Sequence, residues 1–174
     1  MFVNLTDVLT NEGKVLPMQI ETGITHVSAA GESYRVLKST PVDFLFTNTG
    51  KGRARMEGKA AFTFALTCDR CLVPVEKEIT LDFTREVTAP DIGTGQSVEE
   101  EQDFMDGYQL NVEDLLNSEI VTSWPMKILC KPDCKGICPK CGRDLNTGMC
   151  ECDTFVPDPR MAAIKDIFEA DKEV

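Results

Sequence analysis

Hydrophobic and polar residues alternate with a period of two along the middle of the chain. Between residues 51 and 68, one parity carries small and apolar side chains, and the other carries the basic residues Lys51, Arg53, Arg55 and Lys59. The stretch 73–87 repeats the pattern, with Ile79, Leu81 and Phe83 on the apolar parity. Because successive side chains of a strand point to opposite faces, both stretches predict long β-strands with one packed face.

Shorter patterns complete a predicted antiparallel sheet. Residues 42–46 form a third predicted strand, joined to Lys51 through the turn-rich "TNTGKG", and residues 16–20 and 33–37 predict two more. One helix is predicted from an Asn111 cap to the Trp124-Pro125 pair, and a second from Asp158 to Phe168. The predicted class is α+β: a mainly antiparallel β sheet or partly open barrel, with two helices and a small cysteine-rich zinc-binding segment.

The length of 174 residues fits one ordinary core with a small appendage. We predict a β-rich core with an acidic loop and one helix at 1–126 and a cysteine-rich zinc-binding segment at 127–156. Residues 157–174 are predicted to form a C-terminal helix that packs on the core. The start of the chain lacks a signal-peptide pattern and no apolar run suits a membrane span, so we expect a cytoplasmic protein with no membrane partner.

The charge is strongly negative, at −11 with a pI of about 4.6. Residues 91–119 contain nine acidic side chains and no Lys or Arg, and they are densest at Glu99, Glu100, Glu101 and Asp103. Such a run is either a solvated loop or a docking surface for a basic partner. The basic row of residues 51–59 is either a phosphate contact or a solvated strand face, paired with Glu76, Glu78 and Asp82.

Eight cysteines supply the candidate chemistry. In a reducing compartment, clustered cysteines bind metal more often than they form disulfides. Cys138, Cys141, Cys150 and Cys152 can close one four-thiolate site, and Cys68, Cys71, Cys130 and Cys134 a second. The spacing equally allows Cys130, Cys134, Cys138 and Cys141 to share an ion. We expect one or two structural zinc ions per chain; disulfides or free thiols are the alternative.

Catalytic patterns are weak. The single histidine, His26, is far in sequence from every cysteine, and an all-cysteine set is typical of closed structural sites. The CxxC pairs have no βαβ pattern around them, and "GTGQ" at 93–96 lacks a flanking strand, helix and lysine. We therefore expect no enzymatic activity and no small-molecule substrate.

Three stretches together resemble a known family. They are "LTCDRCLVPVE" at 66–76, "LCKPDCKGICPKCGRDLNTGMCEC" at 129–152 and "DPRMAAIKDIF" at 158–168. They are similar to the landmarks of the cysteine-rich branch of the YceD, or large ribosomal RNA subunit accumulation protein, family. Its motif falls on Cys68, Arg70 and Cys71 and on the six later cysteines. The resemblance implies a role in the accumulation of 23S ribosomal RNA, hence ribosome assembly, and no known enzymatic activity.

Three functional hypotheses follow. The first is an assembly factor that binds a basic ribosomal protein or a preribosomal particle through acidic surface. The second is a zinc protein that contacts ribosomal RNA directly, through Lys127, Lys131, Lys135, Lys140 and Arg143. The third is a thiol redox or zinc-handling protein. Acidic charge and the family resemblance favour the first.

Overall fold

A computed structural model describes residues 1–29, 31–90 and 103–152. The chain forms two compact units. The first consists of Met1–Thr67 and Pro74–Ile128. The second consists of Cys68–Val73 and, among the described residues, 129–152. The domain division predicted from the sequence placed the 68–73 loop within the core segment, whereas the structure groups it with the later cysteines.

The first unit contains all the helices and strands of the described residues. In chain order they are β1 (Phe2–Asn4), α1 (Thr6–Thr10), β2 (Val15–Ile20), β3 (His26–Ala29), β4 (Glu32–Ser39), β5 (Val42–Gly50), β6 (Arg53–Thr67), β7 (Pro74–Thr88), β8 (Met105–Asp106), β9 (Gln109–Asn111) and α2 (Val112–Thr122). Neither helix in the described part of the chain has the length and apolar character needed to cross a bilayer.

The main sheet has six antiparallel strands organised around β6. On one side, β7 pairs with β6 along its whole length, from Arg53↔Thr88 to Thr67↔Pro74. On the other side, β5 pairs with residues 53–59 and β4 with residues 62–64, and β2 and β3 extend these two branches. The sheet is not a closed barrel, and β1, β9 and β8 form a separate three-stranded sheet.

Strands β6 and β7 bury the parity that the sequence predicted. Phe62 and Phe64 of β6 are fully buried, as are Leu81 and Val87 of β7 to within a few per cent. Gly58 faces Phe83 across the ladder, and a Cβ at residue 58 would lie within 2.8 Å of the ring's Cε atoms. Glycine is therefore required there because the aromatic ring occupies the volume of a side chain.

Of the three acidic residues predicted to pair with the basic row of residues 51–59, only Asp82 lies opposite a basic residue of β6. Lys59 lies opposite Asp82, and their side chains form an ion pair of 3.2 Å. Glu78 and Glu76 instead lie opposite Thr63 and Ala65, so their predicted pairing with the basic row is wrong. The register of a hairpin is fixed by its turn, and the loop at 68–73 moves these acids beyond the basic residues. Lys51 lies in the β5–β6 turn, with φ 53°.

The predicted helix after residue 111 is confirmed. The Asn111 side chain caps α2 by accepting a hydrogen bond from the Glu113 amide, at 3.2 Å. Leu110 and Leu115 occupy the two positions of a hydrophobic staple, and both are fully buried. Trp124, just beyond the helix, is half-buried against the core and packs on Phe64 with a centroid distance of 5.2 Å.

Two polar contacts fix the helices to the sheet. Asn48 is buried on β5 and donates to the carbonyl of Val8 at 2.7 Å, so it satisfies the end of α1. Arg85 of β7 donates to Glu119 of α2 at 2.7 Å, and the Glu119 side chain is 7% exposed. Helix α1 was not predicted, and the predicted C-terminal helix at 158–168 lies outside the described residues.

Candidate metal centre

The loop between β6 and β7 presents the first two cysteines. Its backbone is closed by Cys68 N donating to Val73 O and by Leu72 N donating to Cys68 O, both at 2.9 Å. Leu72 has φ 61°, a left-handed conformation that leucine seldom adopts, and its side chain is 62% exposed. The tight loop brings Cys68 and Cys71 to one site.

Cys130 and Cys134 complete the first cysteine quartet. The Sγ atoms of Cys68 and Cys134 are 3.8 Å apart, and those of Cys71 and Cys130 are 3.5 Å apart. All four sulfurs lie within 4.8 Å of one another, and Cys68, Cys71 and Cys134 are buried. The four thiols are free, so the short distances are not disulfides.

Cys138, Cys141, Cys150 and Cys152 form the second quartet, again with all four sulfurs within 4.8 Å. Gly142 N donates to Cys138 O, and Cys138 N donates to Arg143 O, both at 2.9 Å. Gly142 has φ 70°, which a side chain would disfavour, and this conformation returns the chain towards Cys138. The alternative grouping of Cys130, Cys134, Cys138 and Cys141 is not the one that the structure forms.

The sulfur geometry fits a tetrahedral metal ion. Zinc–sulfur bonds of about 2.3 Å place neighbouring sulfurs of a regular tetrahedron roughly 3.8 Å apart. The two sulfur separations of 3.5 and 3.8 Å in the first quartet are close to this value. Both quartets can therefore hold a metal ion, and an all-thiolate donor set favours a soft or borderline cation such as Zn²⁺.

Backbone amides favour the thiolate form at one cysteine of each quartet. Burial raises the pKa of Cys68, but hydrogen bonds from the amides of Cys71, Arg70 and Cys130 outweigh it and lower that pKa to about 6. The amides of Cys141 and Lys140 likewise lower the pKa of Cys138 to about 6. Each quartet thus carries anionic character that a divalent cation would balance.

Other thiols in the quartets are shifted the opposite way. Burial and hydrogen bonds with neighbouring thiols raise the pKa of Cys130 to about 12. Hydrogen bonding with Cys141, together with burial, raises the pKa of Cys152 to about 12. Four sulfurs this close cannot all ionise without a cation, and a bound metal would remove that conflict.

Arg70 ties the loop to the later cysteines. Its guanidinium donates to the Cys134 carbonyl at 2.7 Å, and its own carbonyl accepts from Ile137 N at 3.2 Å. Gly136 has φ 78° and approaches so closely that a Cβ would lie 3.0 Å from the Arg70 carbonyl oxygen. The arginine of the "CDRC" motif therefore has a structural position next to the first quartet.

Asn146 links the two quartets, and the sequence analysis did not identify it. It belongs to the loop between Cys141 and Cys150, yet its Nδ2 donates to the Cys134 sulfur of the first quartet, at 3.4 Å. Its Oδ1 accepts from Lys135 N at 2.9 Å. Nothing in the spacing of the cysteines marks this residue, because the contact depends on how the loop folds back.

The other predicted site residues are placed as follows. Asp103 is exposed in a turn, and Glu99, Glu100 and Glu101 lie outside the described residues. His26 is exposed on β3, with Nδ1 3.1 Å from the Thr25 hydroxyl. The cationic side chains suggested for RNA contact are all exposed: Lys127, Lys131, Lys135, Lys140 and Arg143.

Comparison with known proteins adds a family relationship. The family model described as "Large ribosomal RNA subunit accumulation protein YceD" matches residues 56–168, a range that contains all eight cysteines. No solved structure matches the chain significantly.

The stretches that match individual relatives cover only part of each relative's length. Uncharacterized proteins of Mycobacterium tuberculosis and Mycobacterium bovis are 30% identical over 76 residues, which cover 43% of this chain and 37% of each relative. A chloroplastic "Large ribosomal RNA subunit accumulation protein YCED homolog 1" of Zea mays is 27% identical over 135 residues, covering 59% of this chain and 45% of the relative. The chain thus spans less than half the length of these curated relatives.

Proposed function

Because this chain belongs to the YceD family, we propose that it is a non-enzymatic ribosome assembly factor that supports the accumulation of large-subunit (23S) ribosomal RNA. The observation that carries the proposal is the family match over residues 56–168, in which both cysteine quartets lie. The name of the maize relative refers to the same process. We place the protein in the cytoplasm, where ribosomes are assembled.

The proposed partner is a basic ribosomal protein or a large-subunit assembly intermediate. The formal charge of −11 treats every thiol as neutral. A zinc ion bound by four thiolates adds −2, so two such sites bring the charge to about −15. A surface of this sign attracts cationic proteins and repels bare phosphates, which disfavours direct contact with ribosomal RNA.

The proposed cofactor is one zinc ion in each quartet, in a structural role. Four thiolates fill the tetrahedral coordination of zinc and leave no open position for a substrate. Metal analysis of protein purified without chelator should return between one and two zinc ions per chain. A value well below one equivalent would contradict the zinc assignment, and reversible thiol oxidation in its place would favour the redox or zinc-handling alternative.

Affinity purification tests the proposed role. The tagged chain should retain large-subunit ribosomal proteins or precursor particles, in amounts that fall as salt is raised. Depletion of the protein should lower 23S relative to 16S ribosomal RNA. Unchanged ribosomal RNA ratios after depletion, together with no ribosomal component retained, would reject the proposal.

Direct RNA binding is the second candidate, because Lys131, Lys135 and Lys140 are exposed on the cysteine-rich unit. A gel-shift with 23S ribosomal RNA fragments distinguishes it from protein binding. Binding of bare RNA that is lost when these three lysines are replaced by Gln would favour this candidate.

A further inference from the structure

Strand β7 leaves one of its two edges unpaired within the described part of the chain. It is 15 residues long and pairs with β6 only. The other two outer strands of the sheet are poor templates for pairing with another strand, because β2 contains Pro17 and β3 has only four residues. Among the described strands, β7 is therefore the long edge that is open to a further strand.

The register shows which main-chain groups face this edge. Ala89 N donates to Gly52 O at 2.8 Å, one position beyond the Arg53↔Thr88 pair, so odd-numbered residues direct their N–H and C=O groups towards β6. Even-numbered residues direct theirs away. Pro74, which has no N–H, falls on an even position, as this assignment requires.

The same even-numbered residues carry an acidic row on the solvent face. All are exposed from residue 76 to 86, and they include Glu76, Glu78, Asp82 and Glu86, with no basic residue on this parity. Asp82 pairs with Lys59. Glu76 and Glu78 lie opposite uncharged Ala65 and Thr63 and form no ion pair among the described residues. Lys77 lies on the other face.

We propose that the β7 edge at residues 76–82 binds an extended basic segment of another protein as an added antiparallel strand. The outward N–H and C=O groups supply a ladder, and lysine or arginine at every second position would face Glu76 and Glu78. A second copy of this chain fits poorly, because two acidic rows would be brought together. Nucleic acid is likewise repelled by these carboxylates.

This inference rests on the proposed function, since basic tails of ribosomal proteins are the class of partner it specifies. It can nevertheless be tested without ribosomes. The probe is a nine-residue peptide in which lysine alternates with threonine. In an antiparallel pair, residues opposite the acidic row direct their N–H groups at β7, so the lysine amides make the ladder and the threonine amides point away.

Two methylated peptides separate strand addition from simple charge attraction. N-methylation of the lysine amides should abolish binding, whereas N-methylation of the threonine amides should preserve it. In the complex, hydrogen exchange at the Glu78, Thr80 and Asp82 amides should slow at least about tenfold, because these N–H groups become ladder donors. The odd-numbered amides should change little, since they already bond to β6.

The double variant E76Q/E78Q should weaken peptide binding about 2- to 30-fold at low salt, as expected for two cross-strand ion pairs. The matched control E12Q/E21Q removes the same charge from exposed residues elsewhere and should bind as the parent does. Equal binding of the two methylated peptides, or even-numbered amides that are already protected in the free protein, would overturn the inference. Those results would leave the ribosomal RNA phenotype, and hence the proposed function, untouched.

Discussion

Gly58 shows how one residue determines the packing of the central strands. The ring of Phe83 fills the space above it, and both residues lie in the middle of the β6–β7 ladder. Phe83 is buried and its ring packs edge-on against Phe44, with the centroids 6.3 Å apart, which leaves the ring little freedom to move away. The pairing of a glycine with an aromatic residue here is a packing requirement and not a flexible point in the strand.

We predict that Gly58→Ala destabilises the first unit by roughly 1–3 kcal/mol, because the added methyl group overpacks the core. Urea unfolding followed by tryptophan fluorescence measures the change. Gly23→Ala is the control, since a Cβ there meets no atom within 4 Å. Addition of Phe83→Leu to Gly58→Ala should recover part of the loss, and a neutral Gly58→Ala would show that the ring can move aside.

Asn146 lies in the loop between Cys141 and Cys150 and donates a hydrogen bond to the Cys134 sulfur of the first quartet. We predict that Asn146→Asp speeds zinc loss from the Cys68–Cys134 site about 10- to 100-fold, the range typical of outer-shell changes. Aspartate can still accept the hydrogen bond from Lys135 N, but it loses the Nδ2 donor to the Cys134 sulfur and to Asp144 Oδ1, and it adds a like charge beside both groups.

Zinc transfer to a chromophoric chelator gives the rates, and cadmium NMR of the substituted protein identifies the affected site. Thr147→Ala is the matched control. It removes a hydroxyl from the same loop that donates to the Asp144 carbonyl and not to a cysteine sulfur of the described residues. Identical rates in Asn146→Asp and the parent would mean that the sulfur contact has no influence on the metal.

At the scale of elements, long strands and helices can be predicted from sequence patterns, whereas very short ones cannot. Strands β6 and β7 each repeat a period of two over 15 residues, so their faces could be predicted. Strands β1, β8 and β9 have two or three residues and α1 has five, too few to show a period. They form because tertiary contacts pair the three strands and bury Val3 of β1, Leu110 of β9 and Val8 and Leu9 of α1.

The cysteine quartets show the same limit. Spacing identified the pairs Cys68/Cys71 and Cys138/Cys141, because two-residue spacing is a local property. It left open which pairs share an ion, because that depends on contacts between residues about 60 positions apart, such as Cys71 with Cys130. In the structure, hydrogen bonds of Arg70 with Cys134 and Ile137 hold the later cysteines beside the Cys68–Cys71 loop, and these contacts are not visible in the spacing.

We predict that Cys138→Ser unfolds the segment around the second quartet while the β-rich unit remains folded. The loop between Cys141 and Cys150 is polar and has little core of its own, so a metal bound by the quartet would supply most of its stability. Zinc content should fall by about one equivalent, and amide NMR signals of the sheet should persist. Met149→Ser, at an 87% exposed position in the same loop, should retain the full zinc content.

The pH dependence of zinc binding follows from the thiol pKa values. The folded chain lowers the pKa of Cys68 and Cys138 from 9.0 to about 6. The ionisation of these two thiols therefore contributes fully to the stability of the folded state above about pH 9, and this contribution is lost as the pH falls through about 6. Zinc competes with these protons. Metal retained after dialysis should therefore be constant near pH 8 and fall steeply below about pH 6. Retention that is unchanged down to about pH 4 would contradict thiolate ligation.

At the scale of the whole molecule, charge is distributed over more than one candidate surface. The β7 edge carries Glu76 and Glu78, which form no ion pair with the residues that the structure describes, and the acidic segment carries Glu99, Glu100, Glu101 and Asp103. Composition predicted a basic partner but could not say where it binds, because net charge has no location. The two candidates would select different partners. The β7 edge requires a partner with an extended backbone, whereas the acidic segment requires only a positively charged partner.

The last prediction concerns that acidic segment. Replacement of Glu99, Glu100 and Glu101 by Gln and of Asp103 by Asn should preserve the fold, because nothing in their pattern suggests burial. It should lower retention of ribosomal proteins in affinity purification, and what remains should depend less on salt, since fewer ion pairs are screened. Neutralising Glu12, Glu21, Glu32 and Asp43 instead removes the same charge from exposed positions elsewhere and separates a local effect from a global one. Equal retention by the segment variant and the parent at low salt would show that the segment is only a solvated loop, and the β7 edge would then be the leading surface for a basic partner.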